Sequence, residues 1–239
     1  MAWLHKARNP GLISPFRGPT GFVRVDPFHP LARGLTACWV PSMGFVDVTR
    51  QGNDGAPNGL KMGAGVMGPC YDGGGYLSVP YSAAAFPNGN STIAAWVTNN
   101  AQSAGEIIGR WFSGGKWGFK ITSTSDVVRL DIGVSGGETG GYNSFRTVAG
   151  ITYGVVAVAD FSAGSASIYN SGGYVNAMTG LTLDMSAQDF GIGAGKDGGS
   201  YGTAFDGKIH IAMAWNRALT AEEVWALDAA PFQFLIPAG

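Results

Sequence analysis

Carboxylate side chains are the first residues of this sequence that could do chemistry. Two carboxyl groups about 5–9 Å apart, one acting as an acid and the other as a base or nucleophile, can hydrolyse a glycosidic bond. On a β-strand this arrangement needs a pair at i, i+2 or i, i+4. The glutamates of the chain form no such pair; they are Glu106, Glu138, Glu222 and Glu223. The sequence therefore predicts a protein that is not an enzyme.

Serine and histidine could together form a nucleophilic site. Two serines lie in Gly-x-Ser-x-Gly sequences, which hold a nucleophile only where a strand turns sharply into a helix. Neither Gly133–Gly137 nor Gly198–Gly202 is followed by a helical pattern. The chain has three histidines, His5, His29 and His210. Alternation around His210 predicts that its imidazole lies on the surface, so we expect no catalytic triad.

Glycine-rich and acidic segments could bind a cofactor or a metal ion. Gly63–Gly68 and Gly193–Gly198 match Gly-x-Gly-x-x-Gly, but neither opens a helix, and a chain with 39 glycines is expected to contain such matches by chance. We therefore expect no cofactor. Six aspartates could hold Ca²⁺ at a loop edge or could instead cap turns through their own backbone. These aspartates are Asp47, Asp54, Asp72, Asp189, Asp197 and Asp206.

Aromatic side chains in polar loops could contact a sugar, because a sugar presents both apolar C–H groups and hydroxyls. Contact with a neighbouring protein explains such aromatics equally well. The candidates for glycan contact are Trp111, Trp117, Tyr142 and Tyr201. The tryptophans expected in the core are Trp39, Trp96, Trp215 and Trp225.

The composition of the whole chain limits the fold that positions these residues. Glycine accounts for 39 of 239 residues, more than twice the usual ~7%. Because glycine costs about 1 kcal/mol relative to alanine inside a helix, helix content must be low. The hydrophobic fraction of 45% is ample for a large core, and the net charge of −1 gives no case for nucleic acid or an anionic membrane as partner. The composition is typical of an all-β protein.

The two cysteines and the N-terminal residues indicate how the protein is made. Cys38 and Cys70 could form one disulfide, but two buried free thiols are the favoured interpretation. The first residues contain no apolar run of signal-peptide length, and no apolar run of 18 residues occurs. We therefore expect synthesis and use without Sec-type export.

Short apolar runs separated by glycine-rich turns predict ten or more strands, which is typical of a sandwich or jelly roll. In the last predicted strand, Ile209, Ile211, Met213 and Trp215 are expected to share one face. The clearest strand segments are 35–40, 91–97, 117–121, 128–132, 153–160, 166–169 and 205–215.

One helix is predicted near the C-terminus. Thr220 and Glu223 form a capping box, and the helix is expected to end at Pro231. Val224, Trp225 and Leu227 give it an apolar face.

Residues 1–34 differ from the remainder and are predicted to form an extended arm, followed by one jelly-roll domain over 35–239. The arm has five prolines and five basic residues against the single acidic Asp26. Proline at this density excludes a helix or a central strand. Its apolar residues must still be buried, either as a strap over the same domain or against a more acidic neighbouring subunit.

Several segments taken in order resemble the laminin-G-like branch of the concanavalin-A-like jelly rolls, in the single-domain form found in tailed-phage virion proteins. The resemblance covers about residues 29–237. The matching segments are 29–40, 47–55, 70–77, 92–97, 205–209, 215–220 and the ending 231–237.

The resemblance implies a non-enzymatic structural protein of a tailed-phage virion, most simply a capsid decoration or cement protein assembled in the host cytoplasm. Its expected partners are the major capsid protein or other virion subunits, and it is expected to form a homo-oligomer. Removal of residues 1–34 would then abolish assembly and leave the fold intact. The expected partner-binding residues of the arm and tail are Trp3, Arg8, Phe16, Arg17, Phe22, Arg24, Phe232 and Phe234.

The alternative from another functional class is a carbohydrate-binding module, associated with a tail or fibre and able to use Ca²⁺. This alternative assigns glycan contact to the four loop aromatics named above.

Overall fold

A computed structural model provides the structure of the chain. It describes residues 17–100, 105–111, 117–121, 127–134, 137–171, 173–184, 189–197 and 200–238. For parts of strands 105–111, 117–121, 137–146, 173–178 and 196–197 it describes the backbone alone. No helix in these ranges is long and apolar enough to cross a membrane.

Nineteen strands, one α-helix and two 3₁₀ turns lie in the described residues. The first ten strands are β1 Val23–Val25, β2 Leu35–Trp39, β3 Ala56–Asn58, β4 Lys61–Gly65, β5 Gly68–Asp72, β6 Tyr76–Val79, β7 Ser91–Asn99, β8 Gly105–Trp111, β9 Trp117–Ile121 and β10 Val127–Val134. The others are β11 Gly137–Arg146, β12 Thr152–Asp160, β13 Ser165–Asn170, β14 Gly173–Met178, β15 Phe190–Ile192, β16 Lys196–Asp197, β17 Ser200–Tyr201, β18 Gly207–Trp215 and β19 Leu235–Pro237. The helix α1 is Ala221–Ala229, and the 3₁₀ turns are Pro30–Ala32 and Pro41–Met43.

The strands form two large sheets that pack face to face. Sheet I has the order β14-β13-β12-β7-β18-β5-β4, with β2 also paired to β18. Sheet II has the order β11-β10-β9-β8-β15-β6-β3, with β16 and β17 at its side. Among the described strand pairs only β16–β8 is parallel. The predicted all-β sandwich of antiparallel strands with one short C-terminal helix is confirmed.

The interior of the sandwich is formed by alternate residues of both sheets. Leu77 and Val79 point inward from β6 and have no exposed surface. Three aromatic rings stack in this core: the ring centroid of Phe190 lies 4.5 Å from Phe86 and 6.1 Å from Trp39. Rings of this size bury large apolar areas and dominate the stabilisation of a core.

A second core lies on the outer face of sheet I, beneath the helix and the C-terminal tail. Ile211, Met213 and Trp215 of β18 pack there with Leu227 of α1. The tail then runs as β19 and pairs antiparallel with β1, which closes this core. Two layers therefore become three over much of sheet I.

A β-bulge in β18 corrects the predicted face of that strand. Ile209 pairs with Val97 and Ile211 with Trp96, so His210 is the extra residue between two consecutive pairs. The bulge reverses the alternation: Ile209 points into the sandwich and Ile211 into the second core. The expectation that both share a face is wrong for this reason.

His210 is likewise buried rather than at the surface. Its side chain is 1% exposed, and Nε2 lies 2.8 Å from Thr98 Oγ1. Its Nδ1 is buried without a hydrogen-bond partner among the described residues. Burial, with a smaller contribution from Lys208, lowers the pKa of His210 to about 4.

The helix begins at the predicted capping box. Glu223 donates its backbone N–H to Thr220 Oγ1, and the Glu223 carboxylate accepts from the Thr220 N–H. Arg217 holds the same carboxylate through both terminal nitrogens, at 2.6 and 2.8 Å. Val224 and Leu227 face the core, but Trp225 is 47% exposed, so its predicted place in the core is wrong. The other three core tryptophans are buried as predicted.

The two cysteines are free and buried, as the favoured interpretation predicted. Burial raises the pKa of the Cys38 thiol well above its ordinary value, with Asp47 adding to the effect. Cys38 therefore behaves as a small apolar residue.

Candidate functional site

The outer face of sheet II carries an aromatic and polar surface around β6. Because Leu77 and Val79 point inward, Tyr76 and Ser78 point to the opposite face. The ring of Tyr201 in β17 stacks on Tyr76, with centroids 3.8 Å apart and planes 19° apart. We call the surface formed by Asn58, Tyr76, Ser78 and Tyr201 the tyrosine face.

Hydrogen bonds fix both rings of the tyrosine face. Tyr201 donates its hydroxyl proton to Ser78 Oγ. The side-chain amide of Asn58 donates to Tyr76 Oη over 2.9 Å. Both rings are half-buried, so each keeps exposed surface beside its polar groups.

Two glycines allow neighbouring segments to lie close to the start of β6, where Tyr201 packs. Gly193 has φ +87°, and a Cβ there would lie 2.7 Å from the carbonyl oxygen of Gly75. A Cβ at Gly75 would lie 2.2 Å from Leu60 N. The loop after β15 can therefore lie directly against Gly75 because Gly193 lacks a side chain, and the β3–β4 connection can lie close to the same segment because Gly75 lacks one.

The carboxylates near this surface are bound within the fold. Glu106 Oε2 accepts the backbone N–H of Gly195 over 2.6 Å. Asp131 is 1% exposed, and its Oδ1 lies 2.6 Å from Arg129 Nε. Glu222 and Glu223 lie away from this surface, in the first turn of α1. Among the glutamates whose side chains the structure describes, these roles are structural.

Only one of the four predicted glycan-contact residues is placed with its side chain. Tyr201 belongs to the tyrosine face. Trp111, Trp117 and Tyr142 lie in β8, β9 and β11, but their side chains are outside the described residues. Tyr76 was missed by sequence reasoning, although its alternation with Leu77 and Val79 was a signal that could have found it.

The predicted partner-binding residues fall into three groups. Trp3, Arg8 and Phe16 lie outside the described residues. Arg17, Phe22 and Arg24 are exposed. The third group is Phe232 and Phe234.

Phe232 and Phe234 lie in the interior of the chain, whereas the prediction placed them at the surface for a partner. They are 1% and 0% exposed and pack in the second core with Trp215. The tail is apolar because it covers the outer face of the chain's own sheet I.

The predicted arm also packs on its own domain in its described part. Val23 and Leu31 are buried in the second core. Trp215 Nε1 donates to the carbonyl oxygen of Leu31 over 2.7 Å. These contacts favour the strap over the free arm for residues 23–31.

Most of the candidate Ca²⁺ ligands that the structure describes accept hydrogen bonds from backbone N–H groups. Asp47 accepts from the backbone N–H groups of Cys38 and Thr49, at 2.9 and 3.0 Å. Asp54 in turn accepts from the N–H of Asp47 over 2.8 Å. Asp189 accepts a hydrogen bond from the backbone N–H of Tyr81. The Oδ2 atom of Asp72 lies 3.9 Å from Lys208 Nζ. Asp206 is exposed. The side chain of Asp197 is outside the described residues.

No group of three or more His, Cys, Asp or Glu side chains converges as a metal site in the described part of the chain. Asp47 and Asp54 follow the capping alternative, because their oxygens accept backbone N–H groups.

Two antiparallel sheets packed face to face place the chain in the class of β-sandwich proteins. Residues 72–225 match the family model described as the concanavalin A-like lectin/glucanases superfamily. This match covers more than half of the chain, which therefore belongs to that superfamily. No curated protein sequence matches the chain.

Solved structures show the same fold at low sequence identity. Domain 4 of AbnA, an extracellular GH43 arabinanase from Geobacillus stearothermophilus in complex with arabinotriose, is 15% identical, with a TM-score of 0.65; the likeness covers 81% of this chain and 98% of that one. The Trypanosoma rangeli sialidase in complex with sialic acid is 20% identical, with a TM-score of 0.62, over 86% of this chain and 35% of the sialidase. The chain thus spans about a third of the sialidase. These likenesses show the fold, and the virion assignment stays a prediction.

Proposed function

We propose that this protein is a non-enzymatic carbohydrate-binding domain that contacts glycans through the tyrosine face. The observation that carries the proposal is the stacked pair of Tyr76 and Tyr201 with hydrogen-bonding groups on both sides. Tyrosine offers an apolar ring to the C–H face of a sugar and a hydroxyl group to its polar edge. Asn58 and Ser78 add a donor and an acceptor at the same surface.

The tyrosine face is also preorganised. Because Asn58 and Ser78 already hold the two rings, little side-chain entropy is lost when a ligand binds. The AbnA domain, which has the same fold over almost its whole length, is described in complex with arabinotriose. That description concerns the AbnA domain, and it supports testing arabino-oligosaccharides here.

The absence of catalysis is part of the proposal. Glu106 Oε2 is bonded to the N–H of Gly195, and Asp131 is buried against Arg129. A carboxylate held in this way is poorly placed to donate or accept a proton in hydrolysis.

Glycan-array screening and calorimetric titration, each with and without Ca²⁺ in the buffer, test the proposal. We expect the purified chain to bind neutral oligosaccharides, and Tyr201→Ala and Tyr76→Ala to weaken binding by about tenfold or more. Phe28→Ala is the matched control, because Phe28 is 93% exposed and lies outside the tyrosine face. A folded chain that binds none of the glycans would contradict the proposal.

A second candidate function is supported by the exposed aromatics of the N-terminal segment, residues 17–34. Phe22 and Phe28 are 77% and 93% exposed, and Arg17 and Arg24 are exposed near them in the sequence. Exposed aromatics beside arginines are typical of protein-binding surfaces. With the resemblance described above, this surface supports a tailed-phage virion role, in which copies of the protein decorate the capsid.

Co-sedimentation with stripped phage capsids tests the virion role. We expect saturable binding at many copies per capsid, lost in a Phe22→Ser, Phe28→Ser double variant and retained in Tyr201→Ala. Capsids that bind neither the wild-type chain nor Tyr201→Ala would exclude capsid decoration. The tyrosine-face variant thus controls the capsid experiment, and a Phe28 variant controls the glycan experiment.

A further inference from the structure

A second cleft opens on the outer face of sheet I, on the other side of the sandwich from the tyrosine face. Its volume is about 330 Å³. It lies between β7, β12, the β4–β5 hairpin and the C-terminal part of α1. This volume is within the range of small-molecule clefts, about 300–1,000 Å³. No residue of the cleft takes part in the function proposed above.

Two polar atoms converge at one point of this cleft, directly above the backbone of Gly154. Gly154 pairs with Trp96 across β12 and β7. A Cβ at Gly154 would lie 2.6 Å from Trp96 Nε1 and 2.7 Å from Asp228 Oδ1. The indole ring covering a cross-strand glycine is an ordinary packing feature, but the carboxylate beside the indole nitrogen is not.

Neither polar group has a partner within the described part of the chain. Trp96 is 4% exposed, and its Nε1–H donates to none of the described residues. Asp228 forms no hydrogen bond or ion pair with them. Burial alone raises the pKa of Asp228 to about 6. Both residues line the cleft, so a ligand bound there can pair with both polar groups.

The rest of the rim is held in place by hydrogen bonds. Ser171 has φ +32°, a region unusual for a residue with a side chain. Its N–H donates to Gly154 O over 3.0 Å, and its hydroxyl accepts from Gly154 N over 3.3 Å. Thr152 Oγ1 lies 2.6 Å from Thr98 Oγ1. Backbone strain at a cleft is often associated with function, and here it places a hydroxyl beside Gly154.

The chemistry of the lining selects the kind of ligand. An indole N–H only donates, and a carboxylate only accepts. An anionic ligand would be repelled by Asp228, and an ammonium group, which only donates, would leave the Trp96 N–H without an acceptor. A hydroxyl group both accepts and donates, so neighbouring hydroxyls satisfy both atoms. Val66, Met67 and Pro231 supply an apolar wall for the C–H groups of the same ligand.

We propose that this cleft, the Asp228 cleft, binds one neutral sugar unit, with one hydroxyl group accepting from Trp96 Nε1–H and another donating to the Asp228 carboxylate. The site is separate from the tyrosine face and does not depend on the function proposed for that surface.

The indole N–H resonance of Trp96 provides the direct test. It can be assigned in the ¹H–¹⁵N spectrum by its loss in Trp96→Phe. We expect it to shift in a saturable way when the full chain is titrated with D-glucose, D-galactose or L-arabinose. Asp228→Asn, which keeps the shape of the side chain, should weaken that binding by about tenfold or more.

Matched variants separate sugar binding in the Asp228 cleft from binding elsewhere on the protein. Glu222→Gln changes a carboxylate to an amide at an exposed position of the same helix and should leave the titration unchanged. Tyr201→Ala should also leave it unchanged, so failure of the tyrosine-face proposal would not affect this result. No shift with the three sugars, an unaltered titration in a folded Asp228→Asn, or a shift with N-methylacetamide in place of the sugars would overturn the proposal.

Discussion

Two ionisable side chains, the buried His210 of sheet I and the half-buried Asp228 of the helix packed on it, respond to pH in opposite directions. His210 has its pKa lowered to about 4, mainly by burial. Asp228 has its pKa raised to about 6, also by burial. Each preference for the neutral form comes from transfer out of water. Their contributions to the free energy of unfolding therefore have opposite slopes over a shared range of pH.

Acidification should destabilise the protein through His210. The unfolded chain takes up a proton near pH 6.5, whereas the folded protein takes it up only near pH 4. The free energy of unfolding should therefore fall between pH 6.5 and 4, on the order of 2 kcal/mol. Urea unfolding of the wild type and of His210→Gln at several pH values measures this. An equal loss of stability in both proteins would contradict the assignment to His210.

Asp228 should show the reverse trend. Because its folded pKa lies above its unfolded value, the free energy of unfolding should fall as pH rises from about 4 through 6. Asp228→Asn should remove that part of the pH dependence. Over the same range the carboxylate forms, so sugar binding in the Asp228 cleft should strengthen as pH rises. Titrations of the Trp96 indole resonance at pH 5 and pH 7 would detect the change.

At the scale of elements, the β1–β19 ribbon and helix α1 stabilise the molecule by covering sheet I. Phe234 has no exposed surface in this layer, whereas Phe22, two residues before Arg24 of β1, is 77% exposed. The same residue type thus occupies two opposite environments in one small region.

These two phenylalanines make a matched pair for stability. Phe234→Ala should lower the free energy of unfolding by about 3–5 kcal/mol, through lost burial and the cavity left behind. Phe22→Ala should change it by no more than about 0.5 kcal/mol. Chemical unfolding of both variants tests the roles assigned to the tail and the N-terminal segment. If both substitutions lowered the free energy of unfolding by similar amounts, the assignment of a stabilising role to Phe234 and not to Phe22 would be wrong.

At the scale of the whole molecule, the domain boundary predicted at residue 34 separates residues that pack together in the second core. Val23 and Leu31 are buried with residues from β18 and the C-terminal tail. Removal of residues 1–34 would take both away, together with the hydrogen-bond acceptor of Trp215. The expectation that this deletion leaves the fold intact is therefore at odds with the structure.

Two truncations test this packing. A chain lacking residues 1–16 keeps Val23, Leu31 and their contacts in the second core and serves as the reference. A chain lacking residues 1–34 should unfold at a clearly lower temperature than this reference. Calorimetric unfolding compares them, and equal midpoints would show that residues 17–34 contribute little to the core. Capsid experiments on a truncated protein should accordingly use the shorter deletion.

The sequence by itself determined the all-β class, most of the central strands and the capped helix. These features depend on local alternation, glycine turns and a capping box, which involve residues close together in the chain. The free cysteines and the structural use of Glu222 and Glu223 followed from the same local reasoning.

Only the tertiary structure decided which distant residues meet. The bulge at His210 reversed the faces of β18, because one extra residue shifts every later side chain to the other side. Tyr201 reached Tyr76 through the close approach of Gly193 to Gly75. Asp228 reached Trp96 through the packing of α1 on sheet I. Contacts between residues far apart in the sequence depend on strand register and on the path of the loops between sheets. A pattern within a single strand or helix therefore cannot predict them.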